Sequence, residues 1–236
     1  MDKKTQGAWI FHHTSKLNHV THTGEYENIS LAGKAGILLS SLSVSDDTQL
    51  SYSQVEALAR AAGLHTRLEV PLLLKILEKH RLVERSGNRV STLGLTAAGI
   101  LTHTTDIFEA QDPAPEENAA LELAEVVSQA PRLESDAGEL IGDVHHLPKD
   151  RVRDLLSSAS QIGFVDTESL DDSTRLLFNG NLFRRGNIAK VQAVLSSITP
   201  ADEKRIVEVD SLLRQNGTLE LSKVRTLLTK TLFEKL

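Results

Sequence analysis

Histidines form the densest group of potentially reactive side chains, with His12, His13, His19 and His22 close together near the N-terminus. Neutral imidazoles bind zinc or nickel, and His19-x-x-His22 would put two of them on one side of a helical turn. The competing reading is an arm without metal, either solvated or partly packed, in which Trp9, Ile10 and Phe11 pin the segment onto the first domain. We adopt the second reading and expect neither a metal site nor a cofactor. His145-His146 closes a helical stretch, where a protonated imidazole favours the helix dipole. Gly33-Lys34-Ala35-Gly36 lacks the spacing of a phosphate-binding loop and falls inside a helical pattern. The chain has no Gly-x-Ser-x-Gly, His-Glu-x-x-His or Asp-x-Asp calcium loop. No nucleophile, base or ligand set is assembled, and the expectation is a protein that is not an enzyme.

Composition bounds the remaining classes. There is no cysteine, which excludes disulfides and thiolate metal sites and fits a reducing compartment. No apolar run approaches the roughly 18–20 residues that span a bilayer, and no apolar stretch of the signal-peptide kind follows Met1-Asp2-Lys3-Lys4. These features predict a cytoplasmic protein without a membrane partner. Its 236 residues, 40% hydrophobic and 25% charged, suit a globular chain of about two domains. The formal net charge of −6 means that any nucleic-acid surface must be a local basic patch.

The elements that would position such a patch follow from apolar periodicity. Ile29–Leu42 reads as a helix, Tyr52–Ala62 as a second stopped by Gly63, and a third follows Leu64-His65-Thr66 and ends near His80. Leu82–Arg85, the turn Ser86-Gly87-Asn88 and Arg89–Ser91 read as a hairpin, and Thr96–Phe108 as a helix. After an acidic, proline-bearing linker over 111–118, the order begins again. Helices are expected over Ala119–Ala130, Ala137–His146 and Pro148–Ser160, with Pro148 at a first turn. Strands are expected at Phe164–Asp166 and Arg175–Phe178, around the turn Asp171-Asp172-Ser173. Val-x-x-Leu-Leu recurs at Val70, Leu73, Leu74, at Val152, Leu155, Leu156, and at Val224, Leu227, Leu228, the last preceded by a helical pattern over Ala201–Gln215.

Three helices followed by a two-stranded wing resemble the winged helix-turn-helix superfamily, and the small bacterial transcription regulators within it most closely. The fold expected is mainly α with small β wings (α+β): tandem winged-helix domains with a helical C-terminal part resembling an incomplete third repeat. The divisions are an arm over 1–28, a first domain over 29–110, a second over 111–186 and the partial repeat over 187–236. That repeat stops at Leu236 before any wing, which predicts a longer natural reading frame or a second chain that completes it.

The resemblance implies DNA contacts from His65, Thr66, Arg67 and Lys75 at the third helix and from Arg85, Asn88 and Arg89 in the wing. From Arg67 to Arg89 six basic residues stand against three acidic ones, and Arg67 has the fork that reads guanine. The helical wheel adds a conflicting signal. With Val70, Leu73, Leu74 and Leu77 turned inward, Leu72 lies opposite and Ile76 at the flank, a surface suited to a partner protein or a homodimer. The second unit, with Asp150, Arg153 and Asp154 on its third helix and Asp171-Asp172 in its wing, would repel phosphate. The leading expectation is a regulator that binds duplex DNA through its first domain. Its rival is an interaction scaffold built from tandem winged helices.

Overall fold

The computed structural model describes residues 1–17, 25–45, 47, 49–92, 95–171 and 174–235. The chain is mainly helical, and its described residues form two small antiparallel sheets of three strands each. The segment expected as an arm opens with a helix, α1 (Lys3–Leu17). Gly7, Ile10, His13, Thr14 and Leu17 form its buried face. This face eludes a hydrophobicity reading because small and polar residues supply most of it. A Cβ on Gly33 would collide with the Thr14 hydroxyl, and one on Gly7 with the Leu101 carbonyl. The two glycines let α1 approach its neighbours closely.

Those neighbours are α2 (Glu27–Ser43) and α5 (Ala97–Glu109). Between them run β1 (Gln49–Ser51), α3 (Tyr52–Ala61), α4 (Val70–Lys79), β2 (Val83–Ser86) and β3 (Arg89–Thr92). The sheet order is β1-β3-β2, with Leu50 opposite Val90 and Ser86 opposite Arg89. Gly87, at φ +60°, and Asn88 make the two-residue turn. The short β1 was absent from the sequence reading, since three residues carry too little alternation to register.

The second unit repeats the first. It comprises α6 (Pro115–Gln129), β4 (Arg132–Leu133), α7 (Glu134–His145), α8 (Lys149–Ile162), β5 (Asp166–Ser169) and β6 (Arg175–Phe178), with sheet order β4-β6-β5. The repetition extends to single residues. α3 ends on Gly63 (φ +79°) and α7 on His146 (φ +53°); each is followed by a leucine, Leu64 or Leu147, whose N–H donates to a carbonyl of the preceding helix. α4 ends on Arg81 (φ +59°) and α8 on Gly163 (φ +82°), followed by the buried pairs Leu82-Val83 and Phe164-Val165. The left-handed residue bonds the last turn and redirects the chain into the hairpin.

Several boundaries differ from the sequence reading, among them the strand expected at Phe164–Asp166, which is β5 (Asp166–Ser169) because Phe164 and Val165 are the buried pair that follows α8. α6 starts at Pro115, inside the expected linker, because proline suits the first helical position and Glu116 and Glu117 suit the positive end. α4 starts only at Val70, leaving Thr66 and Arg67 in the preceding turn. There the Glu69 carboxylate accepts the His65 N–H (2.7 Å), and Pro71 occupies the first helical turn.

One continuous hydrophobic core runs from Ile10 through both units to Leu177. A smaller cluster joins Leu176 and Phe178 to Ile188, at the start of α9 (Ile188–Ser196). Beyond it lie α10 (Pro200–Asn216), α11 (Leu221–Leu227) and α12 (Lys230–Lys235); α10 and α11 bury no residue fully. In the third Val-x-x-Leu-Leu copy only Leu228 is buried, with Val224 and Leu227 half-buried, whereas every member of the first two copies is buried.

Candidate nucleic-acid interface

α3, the turn after it, α4 and the β2–β3 hairpin form the surface of interest. α3 is anchored by a capping box: the Ser51 hydroxyl accepts the Gln54 N–H, and the Gln54 side chain accepts the Ser51 N–H. α4 buries Val70, Leu73, Leu74 and Leu77, so its outer face carries Leu72 and Lys75, with Ile76 half-buried against the core. Leu72 is 50% exposed, as the helical wheel requires. Leu68, in the turn before α4, is 74% exposed and was not singled out in the sequence reading. Its position outside the helix removed it from the periodic pattern.

His65 and Arg67 are exposed and Thr66 is half-buried, all three ahead of α4. In the hairpin, Arg85, Asn88 and Arg89 are exposed. The Asn88 carbonyl accepts the Tyr52 N–H (2.9 Å), which ties the wing tip to the start of α3. Arg89 donates through Nη1 to Gln49 Oε1 (3.2 Å), so β1 holds it in place. Arg85 lies 3.5 Å from the Glu78 carboxylate. The structure therefore leaves all of these residues except Thr66 exposed, with Arg85 already paired.

Two of the three acids of this stretch are engaged. Lys34 of α2 donates to Glu69 (2.8 Å), which together with the His65 N–H holds the Glu69 carboxyl below its usual range despite partial burial that pushes it up. Glu78 faces Arg85. Arg67, Lys75, Lys79, Arg81 and Arg89 are left exposed, with Glu84 as the one acid of the stretch outside these two pairs. The local excess of positive charge is larger at the surface than the bare residue count suggests.

The described histidines of α1 and α7 have separate surroundings. His13 is buried between Trp9 (ring centroids 5.5 Å apart) and Phe164 (4.2 Å), with no hydrogen-bond partner on either ring nitrogen. His12 meets it edge-on at 5.0 Å. His19 and His22 lie outside the described residues. His145 ends α7 with Nε2 3.3 Å from Glu122 Oε2. Among the described residues no three histidine, aspartate or glutamate side chains gather as metal ligands, and no described helix is long and apolar enough to cross a membrane. No protein-family profile matches the chain, nor does any curated protein or solved structure.

Proposed function

We propose that the chain is a tandem winged-helix protein that binds duplex DNA through its first unit. The reading is carried by the α3–α4–hairpin surface, where Glu69 and Glu78 are neutralised and Arg67, Lys75, Lys79 and Arg89 stand exposed. In this arrangement the residues entering α4 face the major groove and Arg89 tracks the backbone. Leu68 and Leu72 then contact thymine methyl groups, the apolar feature of that groove. The repeated helix-strand-helix-helix-hairpin order and the matching sheet orders support the winged-helix reading of both units.

The test is a variant, Arg67→Ala with Lys75→Ala and Arg89→Ala, compared with the parent chain on a labelled duplex. Each phosphate contact removed lowers the magnitude of the log affinity–log salt slope by about 0.9. A slope and an affinity equal to the parent's would remove the assignment.

A second reading is favoured by a specific observation. Leu68, in the turn before α4, and Leu72, in its first turn, are large apolar side chains left exposed, a composition typical of protein interfaces. Under it, Leu72→Asp dissolves a protein complex and leaves duplex affinity unchanged. Under the DNA reading, the same substitution weakens duplex binding by placing a carboxylate in the groove.

A further inference from the structure

Charge is distributed unevenly along the chain. Residues 111–186 hold 15 acidic and 7 basic side chains, a formal charge of −8. Residues 29–110 hold 8 of each, and residues 187–236 hold 8 basic and 6 acidic, a formal charge of +2. The acidic unit contains a cleft of about 690 Å³ between α7 and α8. Its floor is apolar, built from Gly138, Leu147, Val152 and Leu156. On the α7 wall Glu139 and Asp143 are exposed, with no basic partner among the described residues; Lys149 and Arg153 stand on the α8 wall. Leu140 and Val144 add exposed apolar surface to α7.

The C-terminal region has the complementary properties. Among the described residues after 186, only Ile188, Leu228 and Leu232 are buried. Residues 221–235 carry Lys223, Arg225, Lys230 and Lys235 against the single acid Glu234. Leu221 is 59% exposed, and Val224 and Leu227 are half-buried. This is a basic segment that keeps Leu221 exposed and Val224, Leu227 and Phe233 half-buried while Leu228 and Leu232 are already covered, in the same molecule as a groove with an acidic α7 wall and an apolar floor.

We propose that the α11–α12 segment of one copy seats in the α7–α8 cleft of a second copy. Leu221, Val224 and Leu227 lie against Leu147, Val152 and Leu156, and Lys223 and Lys230 lie against Glu139 and Asp143, in the manner of an amphipathic helix in a groove. Every copy carries both surfaces, so mutual exchange closes a two-fold dimer. This surface is separate from the α4 face, and the proposal stands independently of DNA binding.

Light scattering and sedimentation equilibrium of the full chain, at low and high salt, test it. The mass expected at low salt is twice 25.8 kDa, falling toward the monomer as salt screens the contact. Glu139→Lys with Asp143→Lys should weaken the dimer on the order of a hundredfold, because like charges then face each other. Adding Lys223→Glu and Lys230→Glu to that chain should recover at least about tenfold of the loss. All four positions are exposed, and thermal melts of the monomeric variants serve as the folding control. A monomer at every salt concentration overturns the proposal. So does a dimer indifferent to the acidic-wall reversal, or a reversal that the second pair fails to rescue.

Discussion

His13 shows how far a residue type can mislead about its role. In the sequence it belongs to a histidine cluster with metal-ligand spacing; in the fold it is an interior aromatic, stacked between Trp9 and Phe164 where α1 meets the second unit. Lys16, one turn further along α1, donates to the Gly163 carbonyl beside Phe164, and Tyr26 packs against the same ring. Burial above all, then the nearby charges of Lys16 and His12, push the His13 imidazole from 6.5 down to about 3. His12 and His80 are also pushed down, mainly by burial. Below pH 6.5 the unfolded chain takes up a proton that the folded chain refuses until about pH 3, so stability falls with acidification across that window. His13 alone contributes about 1.4 kcal/mol per pH unit. His13→Phe keeps the stack and removes two unpaired nitrogens, so it should stabilise the protein at pH 7 by about 1 kcal/mol and reduce the acid slope. Urea titrations between pH 7 and 5 measure both; an unchanged slope would show that His13 is not a buried neutral imidazole.

At the scale of elements, the first unit was legible wherever periodicity was strong. α2, α3, α4 and the hairpin fall within a few residues of their expected positions because Val70, Leu73, Leu74 and Leu77, and the Gly87-Asn88 turn, follow local rules. What escaped was set by distant partners. α1 buries Gly7 and Thr14, residues with no hydrophobic signature, and its packing depends on Gly33 some twenty residues away. α2 starts at Tyr26, which supplies no side-chain cap. The cap comes from Glu117 in α6: its buried carboxylate accepts the N–H groups of Asn28 (2.9 Å) and Ile29 (3.1 Å) as well as the Asn28 amide (2.8 Å). It also accepts the Ala114 N–H at 3.1 Å. No local pattern signals a cap from 88 residues away. Glu117→Ala leaves those donors unsatisfied and should cost roughly 3 kcal/mol, with Glu117→Gln intermediate because its amide oxygen still accepts. Denaturant unfolding of the three chains checks the order, and an alanine variant as stable as the parent would refute the cap.

At the scale of the molecule, the expected boundary at residue 110 separates two repeats of one element order but not two cores. α1 packs on α2, α5 and α6, Trp9 donates to Glu125 (2.7 Å), and the Tyr26 hydroxyl pairs with Ser158 (2.6 Å). These contacts fix one repeat against the other, and the basic α4 surface is carried on a body whose second unit is strongly acidic. The exposure of Leu72 and Lys75 on α4 was legible from the helical wheel, but the charge state of the surface was not, because the Lys34–Glu69 and Glu78–Arg85 pairs exist only after folding. The net charge of −6 and the local basic surface together predict a protein that binds duplex through few phosphates and releases it readily as salt rises. Fluorescence anisotropy of the full chain against a labelled random-sequence duplex, titrated at low and then physiological salt, tests this most directly. Saturable binding at low salt that weakens steeply with added salt is the predicted result. An absence of binding at low salt would contradict the account and leave the exposed Leu68 and Leu72 as the mark of a protein partner.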